Sequence, residues 1–297
     1  MIMKLKKLFA PGFLSFAMQR LCTWYVLRAL IARFITLRRP SRLPSRNFER
    51  EKEIFSSLTE EGYAWLPQFV DPATILRIQR HLEGALISER FSKRRSGFTI
   101  DNIPSDVHVA EYETQHLLNS PDIVALAMNP VLIDAASAYL GCKPTISNLS
   151  LWWSFPTGDG AQEAENYHRD VDDWRFVKFF LYLTDVDEAS GPHRFVRGSN
   201  TSSRFLFIKR FTDQEVERCY GASNCLTMLG SSGDAFLEDT FGLHKGQPPT
   251  GKRRLVFQVQ YSINAISVYD YEPRVIAHLP NAFDAYTARL YITQKKL

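Results

Sequence analysis

The sequence predicts a mainly β fold, an antiparallel sandwich or barrel in which helices cover one sheet. Two observations predict it. Helical signals are concentrated before residue 145, and after it the chain is a series of short β-rich runs separated by turn residues, as in antiparallel sandwiches and barrels. These runs are 146–155, 176–184, 193–197, 226–229, 234–238 and 253–262. A hydrophobic fraction of 45% and an aromatic fraction of 13% exclude a disordered or collagen-like chain.

The elements before the β-rich part have recognisable starts and ends. A helix is predicted at 51–57 and a short strand at 62–67, which ends at a proline. Three helix starts pair a capping side chain with a proline at the first helical position: Asp71-Pro72, Ser120-Pro121 and Asn129-Pro130. The first of these helices is predicted to continue to Ile87, and the third to end at Gly141.

Charge divides the chain at residue 50. Residues 1–50 contain eleven basic residues and one acidic residue, whereas 51–297 contain 25 basic and 31 acidic residues, within a net charge of +4. Because the body lacks a basic surplus, a nucleic-acid-binding function is not expected. We predict a basic, apolar extension at 1–50, which ends in a linker rich in proline, serine and arginine at 38–50, and one globular domain at 51–297.

The apolar stretch 13–37 predicts a helix whose surroundings the sequence leaves open. Arg20, Arg28 and Arg33 interrupt the stretch, and each would cost about 2.5–3.5 kcal/mol at the centre of a bilayer, so a membrane-spanning helix is not expected. One alternative is a peripheral membrane contact through residues 1–40, with arginines on lipid phosphates. The other is a helix that packs on the domain and exposes its arginines.

The cysteines and the first residues predict the compartment. Four cysteines are too few and too scattered to form a disulfide framework or a zinc site, so free thiols are expected at Cys22, Cys142, Cys219 and Cys225. Pro11-Gly12 interrupts the apolar run that a secretory signal needs. We therefore expect a cytoplasmic protein, peripheral at the inner face of a membrane if the extension contacts lipid.

A metal-ligand pattern lies in the β-rich part. Residues two apart on a strand point to the same side, so His168 and Asp170 can converge on one metal ion. That pair alone is a weak signal, but His244, at the end of the run 234–238, supplies a second histidine. Two histidines and one carboxylate occupy one face of an octahedral iron(II) and leave three positions open.

Two adjacent arginines are the second unusual feature. Arg253 and Arg254 enter the apolar run that ends near residue 262, and Arg254 stands ten residues after His244. A guanidinium inside a barrel is unfavourable without a partner, and it is the side chain best shaped to bind a carboxylate through two hydrogen bonds. Neighbours on a strand face opposite sides, so one of the two arginines is expected to face the interior.

In their order along the chain these residues resemble the phytanoyl-CoA dioxygenase family of iron(II)/2-oxoglutarate oxygenases. The resemblance covers 53–264, and its motifs are His168-Arg169-Asp170, Leu183-Thr184-Asp185, Gly191-Pro192 to Gly198-Ser199, His244-Lys245-Gly246 and Arg254. It implies a double-stranded β-helix core, the jelly-roll or cupin-like fold, in which His168, Asp170 and His244 hold iron(II).

The resemblance also implies that an arginine binds the far carboxylate of 2-oxoglutarate. Arg254 stands seven residues before Tyr261, the spacing that best matches the family, and is preferred over Arg253. Asn200 replaces the histidine that usually ends the family's Pro-Gly-Ser-His motif. This change leaves the metal ligands intact and alters the rim of the site.

The implied activity is a dioxygenase that uses Fe(II), 2-oxoglutarate and O2. It would hydroxylate an unactivated C–H of a small-molecule or lipid-linked substrate and release succinate and CO2. Since Asp170 is a carboxylate, the position that a halogenase keeps empty for halide is filled, and halogenation is disfavoured. Two alternatives stay open: a non-catalytic jelly-roll binding protein that retains the metal ligands, and a cupin-like metalloenzyme that does not use 2-oxoglutarate. The sequence selects neither a particular substrate nor an oligomeric state.

Other polar residues support weaker predictions. His108 and His116 precede the barrel, where members of the family often have substrate contacts. His193 is predicted to be structural and His81 to lie on a solvated helix face. Residues 172–174 are predicted to shape the substrate mouth or to cap a turn.

Overall fold

The computed structural model describes residues 13–41, 48–90 and 95–294. The helices in these ranges are α1 (Phe13–Leu21), α2 (Tyr25–Thr36), α3 (Phe48–Glu60), α4 (Pro72–Leu82), α5 (Thr114–Leu118), α6 (Pro121–Ala127), α7 (Pro130–Leu140), α8 (Asp213–Tyr220) and α9 (Ala285–Ala288). The strands are β1 (Tyr63–Leu66), β2 (Ile87–Glu89), β3 (Ser96–Phe98), β4 (Val109–Tyr112), β5 (Thr145–Ser154), β6 (Phe176–Tyr182), β7 (His193–Val196), β8 (Cys225–Met228), β9 (Ala235–Glu238), β10 (His244–Gly246) and β11 (Arg254–Ser262). The basic residues of 1–12 and the middle of the predicted linker, 42–47, lie outside the described residues.

Helices α4, α6 and α7 start where the sequence predicts. The side chain that precedes each proline accepts a hydrogen bond from a backbone N–H of the first turn, at Asp71, Ser120 and Asn129. Gly141 ends α7 in a left-handed conformation with φ 79°. The predicted continuation of α4 to Ile87 is wrong. The helix ends at Leu82 because Gly84 adopts a left-handed conformation with φ 68°, and Ile87 begins β2.

The strands form two antiparallel sheets. The large sheet has the order β1-β9-β6-β11-β5-β4-β2-β3, and the small sheet has the order β10-β7-β8. All six predicted β-rich runs contain strands, whereas β2, β3, β4 and β10 were not expected. Of these four, β2, β3 and β10 have only three residues, too few to give a periodic signal. Helices α3 and α7 pack on each other. In addition, α3 packs against β1 and α7 packs against β6. The predicted mainly β fold with a jelly-roll core and covering helices is confirmed.

Strand β11 separates the helix-packed core from an internal cavity. All nine of its residues are buried. Its alternate apolar side chains join the core beneath the helices, at Leu255, Phe257, Val259 and Tyr261. The opposite face borders the cavity, at Arg254, Val256 and Gln258. Alternate residues of this buried strand therefore face opposite ways, one set packing in the core and the other bordering the cavity.

One helical stretch of the described residues, Pro121–Leu140, is long and apolar enough to cross a membrane. It comprises α6 and α7, and 72% of its most apolar window is buried inside the fold. Its composition is therefore explained by its place in the core.

Helices α1 and α2 are attached to the domain by polar contacts. Arg28 is only 2% exposed, and its guanidinium donates to the backbone carbonyl of Gln19 at 2.8 Å and to that of Asp173. The expectation that Arg28 reaches lipid or solvent is therefore wrong, because this arginine is the anchor of the helix. Arg20 and Arg33 are exposed. The division of the chain at residue 50 stays a prediction.

Candidate metal centre and active site

The three predicted ligands are brought together by a two-stranded pairing at the edge of the small sheet. His168 and His244 form an antiparallel bridge with two backbone hydrogen bonds of 3.0 Å, and Asp170 N–H donates to the carbonyl of Thr240 at 2.9 Å. As a result, one ligand atom from each of His168, Asp170 and His244 lies within 4.8 Å of the others. The spacing of two residues between His168 and Asp170 places both side chains on one side, as predicted.

Backbone carbonyls fix the orientation of both imidazoles. His168 Nδ1 donates to the carbonyl of Asn166 at 2.9 Å, and His244 Nδ1 donates to the carbonyl of Gly242 at 3.0 Å. In the neutral form of each ring Nε2 carries a lone pair, and it faces the Asp170 carboxylate at 3.6 Å from His168 and 3.4 Å from His244. Burial, helped by the neighbouring His244, lowers the pKa of His168 to about 3, so this ring is neutral near pH 7. These donors fit a divalent metal such as iron(II).

A buried lysine that the sequence analysis did not single out lies behind the Asp170 carboxylate. Lys178 Nζ is 2.6 Å from Asp170 Oδ2 and 3.2 Å from Asp172 Oδ2. Burial alone would lower the pKa of Lys178 and raise that of Asp170. The attraction between the ammonium and the carboxylates outweighs burial, so the pKa of Lys178 is raised and the pKa of Asp170 lies well below its usual range. Lys178 therefore holds one oxygen of Asp170 and leaves the other available to a metal. Its signal in the sequence is a single charge within the apolar strand β6.

Arg254 lies in the same cavity with unused hydrogen-bond donors. It is 4% exposed, and its Nη2 donates to Ser154 Oγ at 3.3 Å. Its Nε and Nη1 have no hydrogen-bond partner among the described residues. A buried guanidinium with free donors is unfavourable until an acceptor arrives, and a carboxylate supplies two acceptor oxygens. Arg253 faces the other side, exposed, with its guanidinium 5.0 Å from the centroid of the Trp153 ring.

Gly246 borders the Arg254 guanidinium closely. A β-carbon at this glycine would stand 3.3 Å from Arg254 Nη2. The cavity is about 160 Å³ and joins the three metal-ligand candidates to Arg254. Its other walls include the aromatic and basic residues Arg90, Trp152, Lys178, Phe180, Tyr182 and Phe236. The arrangement can hold a small dicarboxylate between a metal ion and Arg254.

His193 lies beside the cluster without joining it. Its ring stacks on His244 with centroids 5.6 Å apart, and its Nε2 is 2.9 Å from Glu238 Oε2. Burial raises the pKa of Glu238 to about 8 and holds the pKa of His193 well below its usual value. Glu238 is therefore the protonated partner and donates to His193. This contact agrees with a structural role for His193.

The two histidines before the barrel have different positions. His108 Nδ1 is 2.9 Å from Glu165 Oε2, and Glu165 borders the cavity, so His108 stands behind a cavity residue. His116 stacks on His81 with centroids 4.4 Å apart, and each Nε2 donates to the other's backbone carbonyl. The expectation that His81 lies on a solvated face is therefore wrong, since its ring pairs with His116. Neither ring of this pair borders the cavity.

The residues after Asp170 belong to the scaffold. The Asp173 carboxylate is fully buried and accepts hydrogen bonds from the backbone N–H of Trp174 and from both the backbone and the side chain of Asn264. Asp173 thus caps a turn and joins α1 and α2 to the domain, as one of the two alternatives predicted. Asp172 contacts Lys178.

The fold and this cluster define a jelly-roll protein with a two-histidine, one-carboxylate centre. The chain belongs to the phytanoyl-CoA dioxygenase family, whose sequence profile matches residues 58–255. The match includes His168, Asp170, His244 and Arg254 and confirms the predicted class, oxidoreductases that use iron, 2-oxoglutarate and dioxygen. No curated protein sequence matches the chain significantly.

Several solved structures are similar in fold. One is SnoK, a non-heme α-ketoglutarate-dependent carbocyclase of nogalamycin biosynthesis, with 16% identity over 71% of this chain and 83% of that chain and a TM-score of 0.49. Another is the epimerase SnoN in complex with Fe3+, α-ketoglutarate and nogalamycin RO, with 16% identity over 72% and 84% and a TM-score of 0.48. A third is HygX from Streptomyces hygroscopicus with nickel and 2-oxoglutarate bound, with 15% identity over 71% and 86% and a TM-score of 0.48.

Proposed function

We propose that this protein is an Fe(II)- and 2-oxoglutarate-dependent hydroxylase of a small-molecule or lipid-linked substrate. The observation that carries the proposal is Arg254, a buried guanidinium with two unpartnered nitrogens in the cavity that also contains His168, Asp170 and His244. In a protein that bound a metal ion but no dicarboxylate, the unfavourable burial of this guanidinium would not be compensated by a ligand. The location we propose is the cytoplasm, at the inner face of a membrane, where free thiols such as the buried Cys142 persist.

Each residue of the centre has a distinct role in this proposal. His168, Asp170 and His244 hold iron(II), and Arg254 binds the far carboxylate of 2-oxoglutarate. When bound, iron and 2-oxoglutarate supply the oxidation by O2 that converts a substrate C–H to C–OH, with succinate and CO2 as the other products. Lys178 keeps the Asp170 carboxylate charged and oriented through its hydrogen bond of 2.6 Å.

Two parts of the cavity wall complete the proposed mechanism. Trp152, Phe180 and Phe236 provide an apolar surface that would exclude water from the cavity in which the substrate is oxidised. Arg90 borders the same cavity, with its guanidinium 4.0 Å from the centroid of the Trp152 ring. It offers a cation to a polar or anionic part of the substrate.

Turnover of 2-oxoglutarate without added substrate tests the proposal. Full-length protein with Fe(II) and ascorbate should release succinate, and His168→Ala should abolish the release. Arg254→Met removes two charged hydrogen bonds of about 1.5–3 kcal/mol each and should raise the KM for 2-oxoglutarate by about 10²–10⁴-fold. Arg253→Met is the matched control, because this exposed arginine lies outside the cavity.

The same assay distinguishes the alternatives. A non-catalytic binding protein would bind Mn(II) and 2-oxoglutarate in calorimetry without releasing succinate. A cupin-like enzyme would consume O2 at the same rate with or without 2-oxoglutarate, and Arg254→Met would leave that rate unchanged. Either result would refute the proposed function.

A further inference from the structure

Helix α1 has the opposite of the usual amphipathic arrangement. A helix on the surface of a soluble domain packs its apolar side inward. In α1 the buried residue is the polar Gln19, 3% exposed, whose side chain contacts the Asp173 carboxylate at 3.4 Å. Leu14, Met18 and Leu21, at positions i, i+4 and i+7, form an exposed stripe, and Leu21 is 85% exposed.

Helix α2 repeats this arrangement. Its buried side consists of Arg28 and Ala32. Its exposed apolar residues are Val26, Leu27, Leu30 and Phe34, followed by Leu37 just after the helix. At about 100° per residue these five positions fall within about 100° of arc, on the side opposite Arg28. Two consecutive helices therefore direct their largest apolar side chains away from the protein.

A loop that is distant in sequence adjoins the exposed stripe. Leu206, which follows β7, lines a shallow groove together with Met18, Leu21, Trp24 and Leu27. The next residue, Phe207, is 80% exposed, and Ile208 is partly exposed. We define the arm face as the exposed apolar residues of 14–37 together with Leu206 and Phe207. Apolar side chains from two separate segments that share one surface indicate an apolar partner.

The charged residues of 13–41 are all basic. Arg20, Arg33, Arg38 and Arg39 are exposed, and residues 13–41 contain no aspartate or glutamate. The Arg38 guanidinium lies 5.1 Å from the centroid of the Phe34 ring, so a charge stands at the edge of the apolar stripe. Apolar residues flanked by arginines complement the acyl chains and the phosphates of an anionic bilayer.

We propose that the arm face binds the surface of a bilayer containing anionic lipid and holds the oxygenase domain against it. The helices lie flat in the headgroup region, with Trp24 and Phe207 at the boundary with the acyl chains. A second copy of the chain fits the face less well, because a symmetric dimer would bring four exposed arginines of each copy together with no acidic residue of 13–41 to neutralise them. This proposal does not depend on the reaction catalysed.

Co-sedimentation of the full-length protein with vesicles tests the proposal. Protein should bind vesicles of phosphatidylcholine with phosphatidylglycerol more strongly than vesicles of phosphatidylcholine alone, and added salt should weaken binding. Leu30→Glu places a carboxylate in the arm face and should reduce binding by about tenfold or more. Leu76→Glu is the matched control, since Leu76 is a helical leucine of similar exposure, 51% against 59%, outside the arm face.

Fluorescence quenching gives a readout that does not depend on the strength of binding. Brominated lipids should quench the emission of the wild-type protein, and Trp24→Phe should remove most of that quenching while the protein still sediments with vesicles. Equal binding by wild type and Leu30→Glu would overturn the proposal. So would a dimer in lipid-free buffer that Leu30→Glu dissociates, because the face would then be an interface between copies. Thermal unfolding of each variant verifies that the fold is intact.

Discussion

Arg28 fastens α1 and α2 to the loop that follows the metal-ligand candidate Asp170. Its guanidinium donates to three backbone carbonyls, those of Gln19 at 2.8 Å, Cys22 at 3.0 Å and Asp173. It also stacks over Phe241, with 4.4 Å between the guanidinium carbon and the ring centroid. We predict that Arg28→Ala releases the two helices from the domain while the jelly roll stays folded.

The expected effect follows from the contacts that are lost. The bonds to Gln19 and Cys22 lie within the two-helix segment, so only the bond to Asp173 and the stacking over Phe241 join it to the domain. A hydrogen bond from a charged donor contributes about 1.5–3 kcal/mol, and a buried cation over an aromatic ring about 2 kcal/mol. Part of this lost stabilisation is offset, because the folded protein no longer bears the cost of removing the guanidinium from water. That cost is visible in the pKa of Arg28, which burial lowers. We therefore expect docking of α1 and α2 to weaken by about 2–3 kcal/mol, which corresponds to a roughly 30- to 150-fold increase in the open population.

Amide hydrogen exchange measures this opening directly. Protection of the α2 amides should fall by about the same 30- to 150-fold in Arg28→Ala, whereas β6 and β11 should keep their protection. Arg28→Lys retains the charge without the fork of donors and should give an intermediate loss. Arg33→Ala, at an exposed arginine of the same helix, should change nothing. Unchanged protection of α2 in Arg28→Ala would refute the anchoring role.

Three further predictions follow from the structure. Lys178→Met should weaken metal binding or activity by about 10- to 100-fold, because Asp170 loses a hydrogen bond of 2.6 Å. Lys178→Arg should restore part of the lost affinity or activity. Mn(II) affinity and turnover equal to those of the wild type in Lys178→Met would contradict this role of Lys178. Gly191→Ala should lower the free energy of unfolding in urea by about 3 kcal/mol or more, since its β-carbon would lie 2.3 Å from a backbone carbonyl oxygen. Gly158 also has a positive φ, 78°, but a β-carbon there would meet no neighbouring atom, so Gly158→Ala should lower the free energy of unfolding by only about 1–2 kcal/mol. Equal losses of unfolding free energy in Gly191→Ala and Gly158→Ala would contradict the steric argument. The Cys142 thiol should resist alkylation near neutral pH in the native state, because burial raises its pKa to about 11, and mass spectrometry of the alkylated protein would reveal the opposite.

The sequence alone predicts the β-rich runs and the grouping of the metal-ligand candidates, for reasons that are local. Short β-rich runs separated by turn residues identify the strands, and the period of two along an extended chain puts His168 and Asp170 on one side. The preference for Arg254 over Arg253 comes from its spacing to Tyr261 in the family, because alternation puts two neighbouring arginines on opposite faces without showing which face is inward. In the structure Arg254 borders the cavity and Arg253 does not.

The residues that were not predicted depend on contacts between distant segments. Lys178 gains its role from carboxylates six and eight residues earlier, at Asp172 and Asp170, across a turn whose geometry the sequence does not reveal. Glu165 borders the cavity because His108, from another part of the chain, holds it. Helix α4 ends early because of the conformation of Gly84, which a periodic pattern cannot report. The roles of Lys178 and Glu165 are therefore set by contacts in the folded protein, and the end of α4 by the local conformation of one glycine.

The three arginines of the apolar stretch 13–37 do not share a helix face because they do not share a role. Arg28 points inward and satisfies backbone carbonyls, whereas Arg20 and Arg33 point outward. Once Arg28 is counted with the interior, the exterior of α1 and α2 is an apolar stripe with basic edges, the pattern of a helix that lies on an anionic surface. The same arginine bonds to Asp173, three residues after Asp170, so the helices proposed to contact lipid are joined to the loop that supplies the carboxylate of the metal centre.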